Sequence, residues 1–478
     1  MLSSILKYKR PAGVKYCAVG LSCTNLDLFF GVINMKTNCF KDFLKYSFLN
    51  ILGMVGISFY ILADTYFISK GVGVNGLSAL NLAIPVFNFI NGCGLMIGIG
   101  GGTLYSLCKK EKDQQETNKI FTNSLYLAFI FSLLFLILGM FFSSEIVFLL
   151  KADEEIFSLT KTYIQTIMIF AFAFIINNVL LSYIRNDGSP QLSMVAMLVG
   201  SFSNIILDYI FIFPLKMGIF GAVIATCIAP LISIAILTLH FFRKKSNFKL
   251  NKCQMNKKIV LNTLTTGIPS LLSELSSGIV MIIFNILVFN LKGNIGIASY
   301  GIIANISIVV VAIYNGIAQG IQPLFSKYFK NENNKNLKNI LKYALTLMIV
   351  LSIIIYLFVF LNSALITSLF NSENNILLNN IANKGLKIYF IVCPFIGFNI
   401  IISIFFSSIG KPLFAHIISF LRGFLIIIPL VIFLANYLKM DGIFLSLPIC
   451  EFIVSILGLV FYIKQKKTYE TIDMISPK

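Results

Sequence analysis

The stretch SFLNILGMVGISFYILADTYFIS, residues 47–69, is long and apolar enough to cross a bilayer, yet it carries Asp64 well inside it. About 20 apolar residues at about 1.5 Å each cover the hydrocarbon core. A second apolar run, SFSNIILDYIFIF at 201–213, is interrupted in the same way by Asp208. A charge at the centre of a spanning helix costs about 2.5–3.5 kcal/mol on insertion scales, so such residues face a cavity or a pathway rather than lipid. The whole chain of 478 residues has only 19 acidic side chains, and nearly all the others lie in short polar connections.

Composition bounds the rest. The chain is 57% hydrophobic and 12% charged, about half the charge of a soluble protein. Long apolar stretches recur throughout, which predicts a polytopic membrane protein of the all-α class. The net charge of +19 comes from lysines clustered in the connections, without a basic stripe on a folded domain, so nucleic acid is not the expected partner. Nine cysteines are scattered without CxxC spacing, and the two histidines, His240 and His416, are far apart. Neither a disulfide framework nor a histidine-based metal site is expected.

Apolar windows predict twelve spanning helices. They cover 47–69, 76–107, 119–142, 159–184, 191–213, 217–242, 258–290, 296–325, 338–361, 384–409, 412–436 and 441–463. The N-terminus, the alternate connections and the C-terminus hold about 29 of the 38 basic residues, the opposite connections about 8, and Arg422 falls within a span. The positive-inside rule then places both termini in the cytoplasm of a cell (plasma) membrane protein. Residues 1–34 are only partly apolar and read as a disordered extension or an upstream start. Residues 35–242 form a first lobe, 243–257 a basic cytoplasmic linker, 258–465 a second lobe and 466–478 a cytoplasmic tail.

The two lobes repeat one another. Gly188-Ser-Pro190 recurs as Gly410-Lys-Pro412, and Lys216-Met217 as Lys439-Met440; Gly76 and Gly100 are matched by Gly296 and Gly320. The offset stays near 220, as expected for an internal duplication of six-helix halves around a central cavity.

Four acids fall inside spans: Asp64, Asp208, Glu274 and Glu451. Asp64 shares a helix face with Tyr60, and Asp208 with Asn204, each one turn away. Thr226 lies in the next helix, and Asn177 and Asn178 in the fourth. Two carboxylates, an amide and a hydroxyl could converge as an all-oxygen set that holds a proton or Na⁺. The alternative is that each acid is satisfied separately by its own neighbours. Glu274 either lines the cavity or is structural, and Arg422 is positioned in sequence to pair with Glu451 as a structural ion pair. The glycine run GIGGG at 98–102 ends in no GK[ST], so it predicts close helix packing or a hinge rather than a phosphate loop.

The order and spacing of several segments resemble the MATE (multidrug and toxic compound extrusion) transporters. They are ADTYFISKGVG at 63–73 with the glycine-rich continuation to 102, IRNDGSPQ at 184–191, NIILDYIFIFPLKMGIFGAVIAT at 204–226, GIPSLLSELS at 267–276 and SSIGKP at 407–412. The resemblance covers residues 40–465. It implies a non-enzymatic antiporter, without cofactor, that exports small organic cations in exchange for H⁺ or Na⁺ by alternating access between two lobes, as a monomer. It further implies that Asp64, Asn204, Asp208 and Thr226 form a coupling site, with Tyr60, Tyr163 and Asn178 lining the same lobe. The acid that some sodium-coupled members carry in the tenth helix is missing here; that span offers Asn399. Two other readings are a lipid-linked oligosaccharide flippase, which an acidic cavity disfavours, and an integral-membrane transferase, whose clustered His or DDxxD motif is absent.

Overall fold

A helix closes its own backbone hydrogen bonds, so it can lie in lipid that offers none. The computed structural model describes residues 37–108, 114–242, 246–370 and 375–475, and the extension expected at 1–34 lies outside them. Among the described residues the regular structure is helical. The first three spans are Thr37–Gly71, Val74–Cys108 and Gln114–Phe141. The fourth is a bent pair, Glu154–Ile169 and Ala171–Asn186, meeting at 47°. The fifth and sixth are Pro190–Ile212 and Gly218–Phe242.

The next helix, Lys257–Lys330, has 74 residues and would run about 110 Å if straight, several times the hydrocarbon thickness. It folds back at Gly293, which has a φ of 58°, and brings Phe284 and Tyr300 to 5.5 Å between ring centres. Its two arms are the seventh and eighth spans. The ninth is Asn334–Phe370, and the tenth runs from Ile376 to Ser408 through a 3₁₀ turn. The last helical stretch, Pro412 onward, folds back at Lys439 (φ 53°) into the eleventh and twelfth spans. Among the described residues, nine helices, or ten with the bent pair, are long and apolar enough to cross a membrane. Dividing two of them at Gly293 and Lys439 gives the twelve segments that the sequence predicts.

The duplication is written into the backbone. Left-handed φ angles occur at Gly73 and Gly293, at Gly188 and Gly410, and at Lys216 and Lys439. These pairs are 220 to 223 residues apart and end matching spans. For the two lysines the conformation is uncommon outside glycine, so the same turn persists in both halves at some local cost.

Two buried apolar cores form. One draws on Ile68 through Phe248, the other on Phe284 through Val454. The division is not clean by sequence. Cys39 and Phe43 from the start of the first span, and Ile99 from the second, belong to the second core. Reciprocally, Ile259, Val260, Leu264 and Leu271 from the start of the seventh span pack on the first core. Each half therefore lends the base of its first helix to the other.

Glycines make the exchange possible. A Cβ on Gly100 would collide with the carbonyl oxygen of Thr263, and one on Gly267 with that of Met96. At the equivalent place, a Cβ on Gly320 would lie 2.6 Å from the Tyr46 oxygen and one on Gly316 2.6 Å from Ile51 Cα. The GIGGG run packs as expected: Gly98 faces the Asn178 backbone, Gly101 faces Ser124 and Tyr183, and Gly102 faces Ser182.

The connection between the lobes is strapped to the first of them. Phe248 is fully buried among Tyr105, Phe121, Tyr183, His240 and Phe241. Asp187 accepts from the Tyr105 hydroxyl at 2.6 Å, His240 Nε2 at 2.9 Å, and both the backbone and side-chain nitrogens of Asn247 at 2.9 and 2.8 Å. Further along, Asn118, Thr122 and Asn123 accept from the backbone of Lys249, Asn251 and Asn256. Asn256 then caps the seventh span through Lys258 N and Ile259 N.

Gly301, on the eighth span, has no atom within 4 Å of an ideal Cβ. Gly100→Leu is expected to lower the melting temperature of detergent-purified protein, because overpacking against backbone costs about 1–3 kcal/mol. Gly301→Leu is expected to leave it nearly unchanged.

Candidate functional site

Helical spacing puts Asn204 and Asp208 one turn apart on the buried face of the fifth span, where both are fully enclosed. The sixth span presents Thr226 to them, and the first span presents Asp64, which is 6% exposed. The Asn204 carboxamide bridges its neighbours. With its nitrogen toward Asp208 it donates to Oδ2 at 3.1 Å, and its oxygen lies 3.2 Å from the Thr226 amide. The Thr226 hydroxyl donates to the Ala222 carbonyl at 3.2 Å. Asp64 and Asp208 are close enough for their charges to act on each other, and both act on Tyr60 and Tyr163. Six of the residues expected from sequence thus converge between the first, fourth, fifth and sixth spans.

Two acceptors in this cluster, Asp64 Oδ1 and Asp208 Oδ1, are buried with no hydrogen-bond donor. A buried carboxylate oxygen without a donor is costly unless a proton or a cation meets it. The donor set is all oxygen apart from the Asn204 nitrogen, which suits H⁺ or a hard cation such as Na⁺. Asn177, also expected here, has a buried Oδ1 without a donor and no hydrogen bond to the cluster among the described residues.

Asn178 joins a second chain. Its Nδ2 donates to Asn91 Oδ1 at 2.8 Å, and Glu274 on the seventh span packs against the neighbouring Gly92. Glu274 therefore reaches across to the first lobe, and its charge acts on Tyr60. Asn91 was missed in the sequence, although an amide inside the apolar run FNFINGC carries the same signal that picked out Asn177 and Asn178.

Arg422 and Glu451 form an ion pair. Arg422 Nη2 and Nε lie 2.7 and 3.0 Å from Glu451 Oε1, and Asn399 Nδ2 donates to Oε2 at 2.6 Å. The pair lies in the second lobe, where a π turn at Leu421–Leu425 aims the guanidinium at the twelfth span.

A duplicated bundle of membrane-crossing helices, with buried acids lacking a cation partner in one lobe, has the architecture of a secondary transporter. The comparisons give the family. The family model MatE matches residues 50–210 and 269–433, one match in each half, and the chain belongs to that family. It is 26% identical over 444 residues, 92% of this chain and 97% of the relative, to the multidrug export protein MepA of Staphylococcus saprophyticus. The MepA of Staphylococcus aureus strain MSSA476 is 27% identical over 447 residues, with the same coverage. Among solved structures, an outward-facing multidrug resistance MATE family transporter of the MOP superfamily superimposes with a TM-score of 0.84 at 23% identity. That match covers 90% of this chain and 96% of the other. A MATE in the bent conformation gives 0.81 at 22% identity, covering 91% and 97%.

The ion pair yields a stability test. Arg422→Met leaves Glu451, 2% exposed, without its cation, and breaking a buried pair on one side costs about 3–5 kcal/mol. A marked fall in melting temperature is expected. Adding Glu451→Leu to the same chain should restore most of it.

Proposed function

We propose that this chain is a multidrug efflux transporter that exports cationic, amphipathic compounds in exchange for H⁺ or Na⁺. It is a multi-pass membrane protein of a transporter family, not an enzyme. The observation that carries the coupling proposal is the pair of donorless buried oxygens on Asp64 and Asp208, the latter joined through Asn204 to Thr226. Family membership and the names of the relatives support the export of drugs.

The chain works as a monomer in the cell membrane, with the end that carries the 246–256 strap in the cytoplasm. The lysines concentrated at that end support this orientation. Ionised Asp64 and Asp208 take up H⁺ or Na⁺ from outside. Neutralising or coordinating them alters the hydrogen bonds of Asn204 and Thr226 and the contacts of the first span with the fifth and sixth. That rearrangement releases the organic cation outward. Glu274, Tyr60 and Tyr163 supply an anionic and aromatic lining that favours a positive, apolar ligand.

Efflux of preloaded ethidium from vesicles, under an imposed proton gradient and separately under an imposed Na⁺ gradient, tests the reading. The parent chain should respond to at least one. Asp208→Asn and Asp64→Asn should each reduce gradient-driven efflux at least about tenfold, the loss of roughly one charge-assisted interaction. Unimpaired transport by both variants overturns the coupling site.

A further inference from the structure

The strapped end of the molecule holds a second buried polar network, with no part in the acid cluster. It joins the lobes. Asn186 Nδ2 donates to Gln322 Oε1 at 2.8 Å, and Gln322 Nε2 donates to Thr103 Oγ1 at 2.8 Å. Ser106 Oγ donates to Asn186 Oδ1 at 2.6 Å. One residue earlier, Arg185 Nη1 donates to Asn50 Oδ1 at 2.7 Å and to Gln319 Oε1 at 3.0 Å. Asn50, Thr103, Ser106, Arg185 and Asn186 belong to the first lobe, while Gln319 and Gln322 lie on the eighth span in the second.

Arg185 is the unusual member. It is 2% exposed, its Nε has no acceptor, and among the described residues no carboxylate lies within ion-pair distance of it. The adjacent Asp187 spends its oxygens on Tyr105, His240 and Asn247 of the strap. A charge buried without a counter-ion costs several kcal/mol, and neutral acceptors offset only part of that. Apart from the exposed Lys327–Asp42 pair at 3.8 Å, the closed seam is therefore held by neutral hydrogen bonds and opposed by one unpaired charge, which water would solvate once the lobes part.

The other end of the bundle lacks such a network. Among the described residues, the side-chain hydrogen bond between lobes away from the strap is a 3.4 Å contact from Asn88 to Ser277. On the eighth span, Ala304 to Val309 are all half-buried, and Gly301 faces open space.

We propose that Arg185, Asn186, Gln319 and Gln322 form the cytoplasmic gate of the transporter, and that the unpaired charge of Arg185 sets how readily it opens. This rests on the alternating-access reading above. These are positioning residues that act on the balance between the two open states, without touching substrate. The signs are opposite for two substitutions in one network. Gln322→Ala removes the bridge to Asn186 and Thr103 and favours parting. Gln319→Glu keeps the acceptor for Arg185 and gives it the missing counter-ion, which favours closure.

Spin labels at Lys249→Cys, on the strap, and Lys335→Cys, at the start of the ninth span, report lobe separation at this end; both native side chains are exposed. The full chain, with its own cysteines replaced, is reconstituted in lipid. Gln322→Ala should raise the long-distance population about tenfold and Gln319→Glu should lower it by a similar factor, the effect of one buried hydrogen bond or one charge-assisted contact. Gln319→Glu should also slow ethidium efflux at saturating ethidium. If neither variant moves the distances, or both move them the same way, the gate is wrong and the network is packing only. If the distances respond as stated while the parent exports no ethidium under either gradient, the gate stands and the proposed function fails.

Discussion

Lipid offers neither hydrogen bonds nor counter-ions, and that constraint governs the arrangement of this molecule. It forces the backbone into helices and sets their length. It also removes any hydrophobic force between helices, so association depends on close backbone approach and on polar contacts. The glycines at 100, 267, 316 and 320 supply the first, and the amide-rich seam around Asn186 and Gln322 supplies the second. Both act at the same end, where the first and seventh spans cross into each other's cores.

Three polar groupings are spread through the two lobes, each solving the constraint differently. In the second lobe, Arg422 and Glu451 neutralise one another and Asn399 takes up a spare oxygen, so little is left to react. In the first lobe, Asp64 and Asp208 each keep a buried oxygen without a donor. At the strapped end, Arg185 has the reverse problem, a positive charge met only by amide oxygens. Among the described residues, the buried charged groups with an unpartnered atom thus fall in two places, the acid cluster and the seam.

The spans were legible because bilayer thickness fixes their length, and the duplication because whole motifs recur at a constant offset. The turns at Lys216 and Lys439 show that this repetition extends to backbone angles. The candidate site stood out because an aspartate in an apolar run needs a reason, and helical spacing pairs it with a visible neighbour. Arg185 was not. In sequence it serves as a topological charge at the end of a span, and nothing local says that the eighth span will cover it. Gln319 and Gln322 are ordinary amides until the fold back at Gly293 brings their helix against the first lobe. The bend at Phe170 was also hidden, since no proline or glycine marks it between 154 and 186.

The crossing of the first and seventh spans bears on how such a chain could arise. A six-helix half on its own would leave the base of its first helix, with Cys39 and Phe43 or with Ile259 and Val260, without the core that receives it. It would also leave the opposite half's place in its own core empty. Two copies trading these segments would satisfy each other, as domain-swapped dimers do. The single chain therefore has the form of such a pair with a tether added, and the strap that fastens the tether to one side marks where the two copies ceased to be equivalent.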